Sequence, residues 1–286
     1  MADANRPPKI RWHWPTLLVA IALAVTGIVA GIFHLRRDNT GPSISVALPR
    51  EVVPVANAIR DNISAEDRLV RFRRSEVGTS QQAIAALDAG KVEAALTRSD
   101  VAMPRSGGTA VIIRRDALVL ITQRRAKIAN AAALAGKTVA VVDALGGSDR
   151  ALVESVLRFY EIEGKVTLVN MTLAELPAAF ASRRIAATFI VAPPQHETIG
   201  TALKAAGDRQ AVVVSMPEAD AIAKRVPGLE SIELTRGIFG GTPPLPAEAG
   251  TTVSVSWRYV AANSAAKAKV QSATRQILSV RSQVNG

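Results

Sequence analysis

Residues 134–171 read LAGKTVAVVDALGGSDRALVESVLRFYEIEGKVTLVNM. Gly136 stops a short helical stretch, and the apolar run 137–143 that follows reads as a strand. Gly146 and Gly147 then make a turn into a helix whose Leu152, Val156 and Phe159 share one face, and KVTLVNM supplies the next strand. Strand, glycine turn, amphipathic helix, strand is the βαβ unit, and it points to a parallel pairing that a hairpin could not make.

The same alternation extends both ways. Upstream lie a strand at 43–49, a helix at 52–63, a strand at 69–74 and a helix entered at Thr79 or Ser80, with Ala83, Ile84 and Leu87 apolar and Gly90 as its stop. Strands follow at 92–97 and, as one or two pieces, at 110–123. Downstream come a helix in LAELPAAFASR, a strand in IAATFIVAP, a helix at 198–206 and a strand at 211–216. Residues 227–250 are rich in Gly and Pro and read as a long connection. A Val-rich strand at 252–262 leads into a final helix from about Asn263, carrying Val270, Ala273, Ile277 and Val284 on one stripe. The expectation is an α/β fold of two lobes with largely parallel sheets. One lobe comprises 42–123 and 251–286, the other 127–225, and 226–250 crosses between them.

Composition narrows the chemistry. The chain has 286 residues, 48% hydrophobic and 21% charged, enough to bury a sizeable core. It has no cysteine, which excludes disulfides, thiolate metal sites and cysteine nucleophiles. Of its three histidines, His13 and His34 flank an apolar run, leaving His196 alone in the body, in a loop where it reads as a surface residue. Histidine-based metal sites and catalytic triads have almost nothing to draw on. No metal and no cofactor are therefore expected, nor is a P-loop, GxSxG, HExxH or GxGxxG present.

The net charge of +11 is unevenly placed. Residues 1–41 hold five Lys/Arg against two acids, 42–250 hold 25 against 22, and 251–286 hold five against none. The body is nearly balanced and no nucleic-acid-binding motif accompanies the excess, so DNA or RNA binding is not expected. The basic N-terminal flank instead suits a membrane segment. No charge occurs between Arg11 and Arg36, and Thr16 to Phe33 is almost wholly apolar, close to the roughly 20 residues a bilayer core requires. Trp12 and Trp14 stand at one edge and Arg36–Arg37 close the other. The reading is a cytoplasmic N-terminus at 1–15, an uncleaved transmembrane anchor at 16–35 and a main domain in the periplasm; a cleaved signal peptide is the rival, though its apolar region usually spans about 7–15 residues.

Three stretches carry a family resemblance: VGTSQQAIAALDAGKVEAALTRSD (77–100), LAGKTVAVVDALGGSDRALVESVL (134–157) and RGIFGGTPPLPAEAGTTVSVSWRYVAAN (236–263). In their order and spacing they resemble the TAXI family of TRAP-transporter solute receptors, which are two-lobed periplasmic solute-binding proteins. The resemblance covers roughly 43–284 and implies a receptor that closes on a small solute and delivers it to a TRAP-type membrane permease. Three positions depart from the family pattern: Leu48-Pro49-Arg50-Glu51 replaces a glycine-rich turn, Ala186–Ala187 replace an acid, and Arg98 replaces an uncharged polar residue.

The residues themselves allow a ligand site. Gly147, Ser148 and Asp149 stand where a strand gives way to a helix, as do Thr79 and Ser80. A helix N-terminus attracts carboxylate or phosphate through its free N–H groups, and the same residues are equally good helix caps. Arg98, Ser99 and Asp100 end a strand, where ligands of open α/β sheets bind. Arg98 is placed either to hold a ligand carboxylate or to pair with Asp100. The arginine pairs 73–74, 114–115, 124–125 and 183–184 read as solvated faces, and the eight aromatic residues of the body read mostly as core. The functional expectation is a membrane-anchored receptor for a small anionic solute, a carboxylate or an amino acid, and not an enzyme. The alternative is a degenerate binding-protein ectodomain serving as a sensor or interaction scaffold.

Overall fold

Ala117-Leu118-Val119-Leu120-Ile121 is fully buried, each residue showing no exposed surface. A strand buried on both faces loses the apolar–polar alternation, and its successive side chains serve two different cores. Here Leu118 and Leu120 pack with Val139, Val141, Leu152 and Val156, whereas Ala117, Val119 and Ile121 pack with Leu176, Phe180, Ile199 and Leu203. Helices therefore cover both sides of the sheet at this point.

The computed structural model describes residues 42–63, 69–101, 103–142, 148–207 and 209–283. Met1–Pro42 and Ser43–Gly286 form separate units. The anchor expected at 16–35 and the turn glycines 146–147 lie outside the described residues; among those described, no helix is long and apolar enough to cross a membrane.

In chain order the elements are β1 (Ser43–Pro49), α1 (Val53–Asn62), β2 (Arg71–Val77), α2 (Ser80–Asp88), β3 (Ala94–Arg98) and β4 (Gly107–Gln123). Then come β5 (Thr138–Val142), α3 (Ser148–Phe159), β6 (Thr167–Met171), α4 (Leu176–Ala181), β7 (Ala187–Ala192) and α5 (Glu197–Ala206). The chain finishes with β8 (Ala211–Val214), α6 (Ala219–Arg225), β9 (Leu229–Leu234), β10 (Gly250–Ala262) and α7 (Lys267–Val280). One sheet runs β2-β1-β3-β10-β4-β7-β5-β6, with β8 also on β4 and β9 also on β10.

Two strands join the halves of this sheet. Val111 and Ile113 of β4 belong to a core with Val46, Leu48, Trp257 and Tyr259, while Leu118 and Leu120 of the same strand belong to the other half. β10 divides likewise: Val253 and Val255 pack in one half, Trp257 and Tyr259 in the other. The result is a two-lobed α/β arrangement, each half with its own core. It is not largely parallel, however. The pairs β1–β2, β1–β3, β5–β6 and β5–β7 are parallel, but every pair made by β4 and β10 is antiparallel. Strands that cross between lobes must run against the parallel units they join.

Two further elements differ from the sequence reading. The connection expected at 227–250 contains β9, an edge strand whose Leu229 and Leu234 are buried while Glu233 is exposed. The final helix begins at Lys267 rather than near Asn263, after a turn.

A polar tie joins β1 to α7 within the half that contains β1, β2 and β3. The Glu93 carboxylate accepts from the Ser45 amide at 3.0 Å and from the Lys269 ammonium at 2.8 Å, joining β1 to α7. The hydrogen bond from Lys269, assisted by those of Ser45, holds its pKa below the usual carboxylate range. A depressed carboxylate pKa gives stability that is present above the unfolded-state value and lost as pH falls through the folded one. Glu93→Gln is therefore expected to cost about 1–2 kcal/mol at neutral pH and to match the parent at acid pH, below the folded-state pKa. Urea midpoints at the two pH values check this; an equal deficit at both would exclude the ionic contribution.

Candidate functional site

Arg98 is the last residue of β3, and β3 lies between β1 and β10 in the middle of the sheet. That position buries a guanidinium to 3% exposure, which is tolerable only if its donors are satisfied. They are. Nε and one terminal nitrogen donate to both oxygens of Asp100 at 3.0 and 2.8 Å. The other terminal nitrogen donates to Asp149 Oδ1 at 2.5 Å. Burial opposes the charge on Arg98, but Asp100 and Asp149 outweigh it and hold the guanidinium pKa above its ordinary value.

The Asp149 contact crosses from one half of the sheet to the other. Asp149 is the second residue of α3, where its negative charge also complements the N-terminal end of the helix. Arg98 additionally lies over the Trp257 ring at 5.9 Å from the centroid. The Trp257 indole N–H donates to Asp116 at 2.8 Å, and Asp116 pairs with Arg114 at 3.0 Å. Arg114 is thus drawn into the interior, unlike the solvated residue expected; Arg115 beside it remains exposed and pairs with Glu230 at 2.7 Å.

A second link crosses at the same level. The Ser99 amide donates to the Ser256 carbonyl at 2.8 Å, and the Ser99 hydroxyl accepts from the Ser256 amide at 2.9 Å. That hydroxyl donates in turn to the Gly228 carbonyl at 2.5 Å. Gly228 has φ +84°, and a Cβ built on it would stand 1.8 Å from the Ser99 carbonyl oxygen. Only glycine permits this approach. Neither Ser99 nor Gly228 is marked by the sequence as a pair, because 129 residues separate them; a Pro-Gly turn was the only local signal.

The helix starts behave differently. Thr79 is the N-cap of α2: its hydroxyl accepts from the Gln82 amide at 3.3 Å, and Gln82 Oε1 accepts from the Gly78 amide at 2.7 Å. Thr79 thus caps the helix, and Gln82 reaches back one residue beyond the cap to hold the entering turn. Ser80 opens α2 and is buried, and Ser148 opens α3. Gly147 lies outside the described residues. His196 is the N-cap of α5, with Nδ1 accepting from the Thr198 amide at 3.3 Å, a role its loop position had not signalled.

The arrangement therefore brings Arg98, Asp100 and Asp149 into one cluster of one cation and two carboxylates. An anion reaching Arg98 must displace Asp149 or Asp100. A zwitterion would meet complementary groups on both lobes, a guanidinium for its carboxylate and Asp149 for its ammonium.

No family model matches the chain, and no curated protein matches it. Among solved structures, it is similar to the reduced regulatory domain of OxyR2 from Vibrio vulnificus at 11% identity, covering 85% of this chain and 96% of that one, with a TM-score of 0.49. The periplasmic aliphatic sulphonate binding protein SsuA from Escherichia coli is similar at 16% identity, covering 86% and 73%, with a TM-score of 0.48. The VFT2 domain of BvgS from Bordetella pertussis is similar at 13% identity, covering 85% and 92%, with a TM-score of 0.45.

Proposed function

We propose that the chain is a membrane-anchored extracytoplasmic receptor for a small anionic organic solute, a carboxylate or an amino acid, and that it catalyses no reaction. The observation that carries this reading is the Arg98–Asp149 pair, which spans the two lobes at the end of β3. With no solute, the lobes are held together by their own charges. Opening separates Asp149 from Arg98, and a solute carboxylate takes its place on the guanidinium. Binding free energy then selects the reclosed state. A TRAP-type permease is the partner suggested by the sequence resemblance, and the apolar run at 16–35 is the anchor, with the main domain in the periplasm.

Titration of the full chain with a panel of dicarboxylates and amino acids tests the reading, with Arg98→Ala and Asp149→Asn beside the parent. Arg98→Ala is expected to weaken binding by about ten- to a hundredfold, the value of a hydrogen bond to a charged group. Asp149→Asn separates the two solute classes. It removes the competitor for Arg98, so a dicarboxylate should bind more tightly, whereas an amino acid loses the partner of its ammonium and should bind more weakly. The interaction-scaffold reading is favoured by one fact, that Arg98 spends its donors inside the protein. It prevails if no member of the panel binds the parent.

A further inference from the structure

Trp257 stands where both crossing strands pass from one core to the other. On β10, Val255 packs in one half and Trp257 in the other; on β4, Leu118 packs in one half and Ile113 in the other. Arg114 and Asp116 lie between those two points of β4. Trp257 pairs in register with Arg98 of β3 on one side and with Arg114 of β4 on the other. Directly opposed residues of antiparallel strands share a face of the sheet, so these three side chains form one row. Asp116, two residues from Arg114, lies on the same face.

A ring that only fills space has no need of polar neighbours, and this one has two. A buried indole requires an acceptor for its N–H, and Trp257 finds one in Asp116 at 2.8 Å. Asp116 is itself buried, and a buried carboxylate requires a cation. Arg114 supplies it, donating from one terminal nitrogen at 3.1 Å. Two charged residues of a crossing strand thus fix one indole. What the indole holds is Arg98, whose guanidinium lies 5.9 Å from the ring centroid, within the range of a cation–π contact. Nε and one terminal nitrogen of that guanidinium face Asp100, two residues along the chain, and the other terminal nitrogen faces Asp149 across the lobes. The Trp257 face and the Asp100 carboxylate therefore hold the group from its own half, independently of Asp149.

We infer that Trp257 is the positioning residue of the Arg98 site: anchored by Asp116, it keeps the guanidinium in place when Asp149 withdraws, so that a solute carboxylate meets a donor already oriented. Preorganisation of this kind strengthens binding, because the long arginine side chain is not ordered anew when the solute arrives. Asp116 acts one step further back, through the indole, and touches no solute. The role rests on the receptor reading for its solute, whereas the resting geometry is open to test without one.

The three tryptophans are Trp12, Trp14 and Trp257, so the full chain with Trp12→Phe and Trp14→Phe, in lipid nanodiscs, emits from Trp257 alone. Arg98→Met takes the cation off the ring and should shift the emission maximum; if it does not fold by circular dichroism, Arg98→Gln replaces it. Asp149→Asn should leave the maximum in place, because Asp100 and the ring still hold the guanidinium. Unchanged emission in the Arg98 variant, or an equal shift in Asp149→Asn, would overturn the role. Calorimetric titration with succinate and with glutamate, well below the melting midpoint of every variant, then reads the effect on binding. Trp257→Phe keeps a ring but loses its anchor and should weaken the bound probe about threefold, and Trp257→Leu, with no ring, about tenfold. Asp116→Leu should behave as Trp257→Phe does, while Asp116→Asn, which still accepts from the indole, should restore most of the loss. Equal affinity in the parent and Trp257→Leu would also overturn the role. If neither probe binds the parent while the emission behaves as expected, the receptor reading fails and the positioning of Arg98 by Trp257 stands.

Discussion

Gly228→Ala should lower the thermal midpoint of the full chain by about 10 °C. The new Cβ would fall 1.8 Å from the Ser99 carbonyl oxygen and 2.9 Å from the Asp100 Cα, both backbone atoms that no rotamer change can move. Two costs combine. A side chain at φ +84° is strained by about 1–2 kcal/mol, and overpacking adds about 1–3 kcal/mol. For a chain of this size each kcal/mol moves the midpoint by about 2–4 °C. Gly240→Ala is the control, since Gly240 has φ +70° but a Cβ there meets nothing within 4 Å. It carries the conformational cost alone and should lose about 1–2 kcal/mol. Equal losses in the two variants would mean that the close approach of the 228 turn to residues 99–100 does not matter energetically. The carbonyl of Gly228 also accepts from Ser99, so the alanine variant should loosen the crossing between the lobes as well as the fold.

Removing the Arg98 side chain should cost about 3 kcal/mol, the lower part of the range for breaking a buried ion pair. Two carboxylates would lose the guanidinium they share, and their partial exposure, 16% and 19%, keeps the loss from being larger. The stronger test is the double variant Arg98→Met with Asp149→Leu. Replacing a buried pair by apolar groups of similar volume is often neutral or stabilising, so the double variant should recover part of what Arg98→Met loses, the remainder being the cost of Asp100, which still lacks its cation. Urea unfolding of the parent, both single variants and the double variant closes the cycle. Strict additivity would show that Arg98 and Asp149 do not interact across the lobes. Their coupling should also survive salt better than the exposed Arg158–Glu163 pair, because burial excludes the screening ions.

What the chain betrays in one dimension is uneven. The run ALVLI at 117–121 announces a buried strand, and the glycine turns of the βαβ unit announce their helices. β9 was hidden because LESIEL is only six residues long and its alternation is broken by Glu230-Ser231, inside a segment rich in Gly and Pro. The antiparallel share of the sheet was hidden for a different reason: the direction of β4 and β10 follows from which lobe each strand enters, and no local pattern encodes that. At the candidate site, Arg98 and Asp100 are two residues apart, and their pairing was one of two open readings from the start. Asp149 was marked only as part of a helix start. That it meets Arg98 across 51 residues is a tertiary fact, and so is the stacking of Arg98 on Trp257. The second depends on β3 and β10 lying side by side.

The sheet order β3-β10-β4 also has a consequence for how the protein is made. β3 and β4 are separated by only eight residues in the chain, between Arg98 and Gly107, yet they do not pair with each other. The strand that belongs between them is encoded after residue 249. As the polypeptide leaves the ribosome from its N-terminus, the central slot of the sheet stands empty while some 130 further residues are synthesised, including all of the strands β5 to β9. Throughout that interval β3 and β4 present unsatisfied edges, the surfaces most prone to pairing with another chain. Neither crossing is finished until β10 arrives, so the first lobe cannot complete itself early and wait for the second; both are finished by the same late strand.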